Sequence, residues 1–325
     1  MSSKKFLILN ILFIPVIFSF FIILNFYFYK VPFSTLWVNN SFIKKDNYAK
    51  SISENKIVFT SGSNTLYGME TNIIEKELNI PTVNMAIHAG LKTEYILHRA
   101  KNILKSGDII ILPMEYQNFT WDGKVEETYR DYILTHDKEY FKNMPLKEQF
   151  GFIFSITPYG LIKSMIEQKK TLKDAEIGKG YTVLTLNKNG DETYKEGTKI
   201  GFKTIPFELP NPYNIETYGL LKIKEFSKWC KENNIKLFVT FPNTVNLKEY
   251  YEEPYISYFN FLIDYFEKNN IKVIGKPTDS LYPIEYFYDT NYHMNSYGAK
   301  VRTFSFLEKL KQQINEYDLN KSILD

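Results

Sequence analysis

Apolar and polar positions along this chain fall into three patterns: one unbroken apolar run, then an alternation of short apolar runs with longer periodic stretches, then a gap in that rhythm. The first pattern is FLILNILFIPVIFSFFIILNFYFY, from Phe6 to Tyr29. At about 1.5 Å per residue a helix of this length can cross a hydrocarbon core of about 30 Å. Asn10, Ser19 and Asn25 are mild interruptions, Pro15 is tolerated in a membrane helix, and Tyr27 and Tyr29 suit the interface. The competing reading is a cleaved signal peptide. Against it, the run exceeds a normal signal core, and the YKVPFSTLW that follows offers no small-x-small cleavage site. Lys4 and Lys5 precede the run and Lys30 is the nearest cation beyond it, so the positive-inside bias favours a cytoplasmic N-terminus and an extracytoplasmic remainder.

Residues 1–30 thus read as a short N-terminal tail and membrane anchor, and 31–55 as a juxtamembrane linker. From Lys56 the alternation predicts an α/β domain reaching the C-terminus. Strands are expected at Lys56–Thr60, Thr82–Met85, Ile109–Leu112, Lys236–Phe241 and Lys272–Ile274. Helices are expected at about Thr65–Leu78, Thr93–Leu104, Glu216–Asn233 and Tyr255–Lys268, with a last one beginning near Asn295. Between residues 117 and 212 the rhythm fails. Helical pieces, a Gly-rich turn around Gly178 and Gly180, and the polar run NKNGDETYKEGTK mark an insertion. A structureless loop of that length is improbable in a compact domain, so the insertion is expected to fold as a helical cap or a partner-binding surface.

The charge balance narrows the function classes. With 40 basic and 37 acidic residues the net charge is +3, which gives no field suited to a polyanion, so nucleic acid is not an expected partner. The single cysteine, Cys230, excludes an intramolecular disulfide framework and a cysteine-based zinc site. His98 and His136 lack metal-ligand spacing, neither a P-loop nor a dinucleotide fingerprint is present, and no cofactor is expected.

Two segments can carry chemistry. In IVFTSGSNTLYG a buried-strand pattern runs into Ser61, Gly62, Ser63 and Asn64 and then into a helix. A serine at such an elbow sits at the carboxyl end of a strand and the positive end of a helix, where open α/β sheets place their sites. Ser and Asn are equally ordinary helix caps. In EYFYDTNYHMNSYGAKVRT, Asp289 and His293 stand four residues apart before the last helix. His293 can serve as general base toward Ser63 with Asp289 orienting it, or it can be a loop or capping residue.

Together, GSN after the first strand, NMAIHAG after the second, LPMEY after the third and DTNYHMNSYG before the last helix resemble the ordered blocks of the SGNH, or GDSL-type, hydrolase superfamily. The resemblance covers roughly residues 56–306. It is strongest to the membrane-anchored branch that includes the D-alanine-transfer proteins of teichoic acid synthesis and the alginate O-acetylation proteins. It implies a three-layer, flavodoxin-like parallel sheet, with Ser63 as nucleophile and His293 and Asp289 as its catalytic partners. It also implies oxyanion or substrate contacts from the blocks' other residues: Asn64, Asn84, His88, Gly90, Glu115 and Tyr116.

Three departures from the family pattern bear on that list. Asp289 precedes His293 by four residues where three is usual. The oxyanion glycine corresponds to Ala89 or Gly90, of which Gly90 is taken here. The third block has Glu115 and Tyr116 where an Asn normally donates to the oxyanion, and an ionised carboxylate has no proton to give. Glu115 therefore either binds a substrate hydroxyl or is structural, the latter ranking first, and His88 either contacts substrate or packs. The resemblance implies serine-based acyl transfer or ester hydrolysis on O-acyl groups of a cell-envelope glycan. A multispanning membrane acyltransferase would be the partner, with membrane lipid around residues 6–29. The alternative is a non-catalytic envelope assembly or scaffold protein that keeps the fold.

Overall fold

The computed structural model describes residues 3–169, 182–198 and 202–324. Gly178 and Gly180 lie outside the described residues. The chain divides into two compact units. One combines the described parts of Met1–Asn39 and Val125–Gly178, and the other those of Asn40–Lys124 and Lys179–Asp325.

The larger unit is a mixed α/β structure on a five-stranded parallel sheet. Its strands are β1 (Ile57–Phe59), β2 (Thr82–Asn84), β3 (Ile109–Leu112), β4 (Lys236–Thr240) and β6 (Lys272–Ile274), in the order β2-β1-β3-β4-β6. Strands buried on both faces read as continuous apolar runs, which is why IVF and IIIL carry no alternation. Ile57, Phe59, Ile109 and Ile111 share one face by their period of two. They form one cluster with Met69, Ile74 and Phe306, which belong to or border α4 (Thr71–Leu78) and α13 (Ser296–Leu324). Elsewhere α11 (Tyr218–Glu232) packs on α5 (Lys92–Lys101), α6 (Tyr116–Phe119) and β4, and α12 (Tyr255–Lys268) packs on β6. A two-stranded parallel sheet joins β5 (Thr244–Val245) to β7 (Leu281–Tyr282), strands too short to show a period in the sequence.

Three regions differ from the sequence expectations. The helix expected at Thr65–Leu78 is two, α3 (Ser63–Gly68) and α4, because Met69 is extended, buries its side chain in the core and is followed by Glu70, whose N–H donates to Thr303 Oγ1 at 2.9 Å. The stretch 31–55 is mostly helix, α2 (Pro32–Ser51), with Val38, Phe42, Lys45 and Ala49 buried at helical spacing. A lysine in that stripe hides the pattern from a reading by polarity. Its ammonium is satisfied by the Ala86 carbonyl. The polar run 187–198, expected as part of a helical cap or a partner-binding surface, is bonded along the sheet edge. Asn84 N–H donates to Asn189 O at 2.8 Å and Asn189 Nδ2 to Thr82 O at 2.8 Å, so Asn189 closes the outer edge of β2.

The smaller unit is helical. It contains α1 (Ser3–Phe28), the start of α2, α7 (Glu127–His136), α8 (Lys138–Asn143), α9 (Leu146–Phe154) and α10 (Pro158–Glu167). Over Lys4–Phe28, α1 is long and apolar enough to cross a membrane, and its most apolar stretch is unburied, whereas Asn25 near its end is buried. The last carbonyls of a helix have no partner within it. Here Lys138 Nζ takes Phe26 O at 3.2 Å, Gln168 Nε2 takes Phe28 O at 2.7 Å and Ser164 Oγ takes Lys30 O at 2.7 Å. Just beyond, Tyr29 donates to Asp131 Oδ1 at 2.6 Å, and Arg130 Nη2 donates to the Tyr29 hydroxyl at 3.0 Å.

Candidate active site

Strand order reverses between β1 and β3, whose neighbours are added on opposite sides, and open α/β sheets hold their ligands at the carboxyl ends of strands flanking such a reversal. The segments leaving those two ends are Thr60–Asn64 and Pro113–Glu115, and they are bonded to each other. Glu115 is 1% exposed, and its carboxylate accepts Gly62 N–H at 3.0 Å, Asn64 N–H at 2.9 Å and Asn118 Nδ2 at 3.2 Å. The carboxylate grips the backbone on either side of Ser63 and leaves the Ser63 N–H between its two bonds. This supports the structural reading of Glu115.

Ser63 is the first residue of α3 and is half-buried. Before it, Gly62 presses on the loop after β2: a Cβ at this position would lie 2.3 Å from Ala89 N, too close for any side chain. That loop places His88 in the same region. His88 Nδ1 accepts Gly90 N–H at 2.9 Å, so its proton lies on Nε2 and the Gly90 N–H is engaged. Burial, with smaller contributions from His293 and Lys92, pushes the His88 pKa down to about 4 and keeps its ring neutral at neutral pH.

Asp289 and His293 come together despite their spacing. Their turn is closed by Thr290 Oγ1, which accepts His293 N–H at 3.1 Å, and His293 Nδ1 then meets Asp289 Oδ1 at 2.8 Å. The His293 ring stacks on Tyr67 with centroids 4.2 Å apart. Tyr67 is four residues after Ser63 on α3, so the two share a helix face. The ring is therefore held one helical turn from Ser63 with Nδ1 committed to a carboxylate. Among the described residues, no hydrogen bond joins the Ser63 hydroxyl to His293.

The remaining sequence candidates lie in the scaffold beneath. Asn64 is fully buried, its Nδ2 donating to Pro113 O at 2.7 Å. Asn84 is also fully buried. Its Nδ2 donates to Thr65 O at 3.1 Å and to Asp191 Oδ1 at 3.0 Å, and its Oδ1 accepts Ala86 N–H at 3.1 Å. Neither amide retains a donor directed at a substrate. Tyr116 is a core aromatic stacked on Phe207 at 4.0 Å, and burial pushes its pKa well up.

Two supporting residues escaped the sequence reading. Arg302 on α13 is 3% exposed, and it donates to Asn64 O at 3.2 Å and to Asn243 Oδ1. Burial lowers its pKa to about 10, still leaving it charged. Asn243 Nδ2 in turn donates to Tyr292 O at 2.7 Å, so Arg302 and Asn243 link the serine elbow to the histidine loop. The available signal was position: Arg302 falls between Ala299 and Phe306 on the buried face of the last helix.

No family model matches the chain, and no curated protein matches it in sequence. Among solved structures the chain is similar to one described as "a putative platelet activating factor from Streptococcus pneumonia". The two are 13% identical, the match covers 86% of this chain and 97% of that one, and the TM-score is 0.37. A likeness at that level carries no functional argument.

Proposed function

We propose that this protein is a membrane-anchored serine acyltransferase or esterase of the SGNH type, acting on O-acyl groups of a cell-envelope glycan. The observation that carries the reading is the Asp289–His293 pair, 2.8 Å at Nδ1, stacked on the helix that Ser63 begins. In the proposed reaction the Ser63 hydroxyl attacks an ester or thioester carbonyl. His293 Nε2 takes the hydroxyl proton and returns it to the leaving alcohol or thiol, and Asp289 stabilises the imidazolium that forms between these steps. A water or glycan hydroxyl then displaces the acyl group from Ser63.

Charge on the tetrahedral oxygen needs donors. Since Glu115, Asn64 and Asn84 are engaged elsewhere and the Gly90 N–H is bonded to His88, the Ser63 and Ala89 N–H groups are the proposed oxyanion hole. The sheet's five strands, numbered within the sheet, run 2-1-3-4-5, the flavodoxin-like order, which supports the three-layer SGNH assignment. The anchor is α1, with Lys4 and Lys5 on the cytoplasmic side and the α/β unit outside. One span offers no route for an acyl group across the bilayer, hence the proposed multispanning acyltransferase partner.

Two observations favour a non-catalytic scaffold instead: the block residues that donate to the oxyanion elsewhere are here consumed by the fold, and among the described residues no hydrogen bond joins Ser63 to His293. Kinetics separate the readings. Ser63→Ala and His293→Ala should each reduce hydrolysis of a small chromogenic acyl ester, or the acyl content of the glycan, by orders of magnitude. The double variant should be little worse, because the pair acts as a unit. Unchanged activity in folded, membrane-inserted Ser63→Ala would favour the scaffold.

A further inference from the structure

The helical unit presents to its surroundings residue types that water-facing helices avoid. Phe150 and Phe154 on α9, and Tyr159, Ile162 and Ile166 on α10, are 43% to 75% exposed. No charged residue occurs from Phe150 to Ile162. The α9 part of this surface adjoins α1. The Phe154 ring is 4.8 Å from that of Phe18 and 6.4 Å from that of Phe21, and Phe26 meets Phe141 of α8 at 5.6 Å. At about 1.5 Å per residue, Phe21 and Phe18 lie about 10 and 15 Å along the helix before Phe28.

Polar groups of the same segment sit at a different level. Lys138, Gln168 and Ser164 meet the carbonyls of Phe26, Phe28 and Lys30, at the end of the apolar run. Polar side chains where the span ends and aromatic ones deeper along it reproduce the gradient of a bilayer interface. Between α1, α8 and α9 a cavity of ≈ 260 Å3 opens, lined by Ile22, Phe26, Phe141, Leu146, Phe150 and Ile153, with Lys142 and Gln149 also bordering it.

We propose that α9 and α10 are embedded in the leaflet beside α1 and bind bilayer lipid, with an acyl chain in this cavity and Tyr159 near the headgroups. The inference rests on the reading of α1 as a membrane span. Lipid is the occupant because the exposed surface is continuous with a helix that lipid must surround. It also reaches a depth along that helix that a water-soluble partner cannot. The insertion then serves as a second membrane attachment, in addition to the anchor.

Spin labels on full-length protein in lipid nanodiscs test this. The one native cysteine, Cys230, is buried, and the unsubstituted protein gives the labelling background. Labels at Phe150→Cys and Ile162→Cys should collide with oxygen several-fold more, relative to a water-soluble nickel chelate, than a label at Lys228→Cys on the exposed face of α11. They should resemble a label at Phe13→Cys in the span. If Phe13 reports lipid but Phe150 and Ile162 report water, this inference is overturned and the anchor stands. If Phe13 also reports water, the anchor reading itself has failed. Dipolar broadening with low oxygen access at Phe150 would overturn lipid in favour of a second copy. Leu146→Cys repeats the measurement should Phe150→Cys fail to fold.

Discussion

Around Ser61–Thr65 polar groups are buried and nearly all are hydrogen-bonded, whereas along α9 and α10 Phe150, Phe154, Tyr159, Ile162 and Ile166 are apolar and exposed. In the first region Glu115, Arg302, Asn118 and Asn243 converge from distant parts of the chain on one short turn. Such a turn is costly to build unless each group is satisfied, because an unpartnered buried donor loses its water and gains nothing. In the second region Phe150 and Ile162 gain little from burial within the unit. The two regions suit different surroundings: a dry interior that demands close geometry from polar atoms and, on the lipid proposal, an apolar medium that favours outward-facing aromatic and aliphatic side chains.

Removing the carboxylate that closes the elbow should have the largest effect on the buried polar region. Glu115→Ala strands two buried backbone N–H groups and the Asn118 side-chain amide; at about 1–3 kcal/mol for each of these donors it should destabilise the α/β unit by on the order of 3–9 kcal/mol. Glu115→Gln, with one acceptor oxygen left, should lose roughly half as much. Chemical denaturation in micelles measures both. A loss below about 0.5 kcal/mol for Glu115→Ala would mean that the turn holds itself.

A smaller effect compares the two regions under one variable. His88 in the site and His136 in the helical unit both have pKa values pushed down to about 4, chiefly by burial. The unfolded chain, with histidine near 6.5, then binds more protons than the folded one. The stability these residues contribute is full above about pH 6.5 and is lost as pH falls toward about 4. Unfolding midpoints at about pH 7.5 and about pH 5 should therefore differ, and His88→Asn and His136→Asn should each narrow the gap. A gap untouched by either variant would show that other groups set the acid sensitivity.

Much of the α/β unit was legible because its signals are local. Ile109–Leu112, Tyr255–Lys268 and Lys272–Ile274 follow from apolar runs and helical period alone, and their bounds coincide with the observed elements. The helix of residues 32–51 reads as a linker from sequence because its buried stripe includes Lys45, and a lysine at helical period counts as solvent-facing. The break at Met69 depends on Thr303, far along the chain, and so leaves no local trace. At the site, Ser63, Asp289 and His293 were visible as residue types at strand and helix boundaries. That Glu115 bonds to the turn around Ser63, and that Asn84 serves Asp191, depends on which loops meet at one end of the sheet. The same applies to the insertion, whose pattern showed helices but not that they group with α1.

The proposed activation of Ser63 is read directly by a fluorophosphonate probe, since it labels a serine only where a base draws off the hydroxyl proton. On membrane-inserted protein one covalent adduct is expected, located at Ser63 by peptide mass spectrometry, absent in Ser63→Ala and strongly slowed in His293→Ala. Labelling elsewhere, or none at Ser63 in protein whose fold is intact, would contradict it.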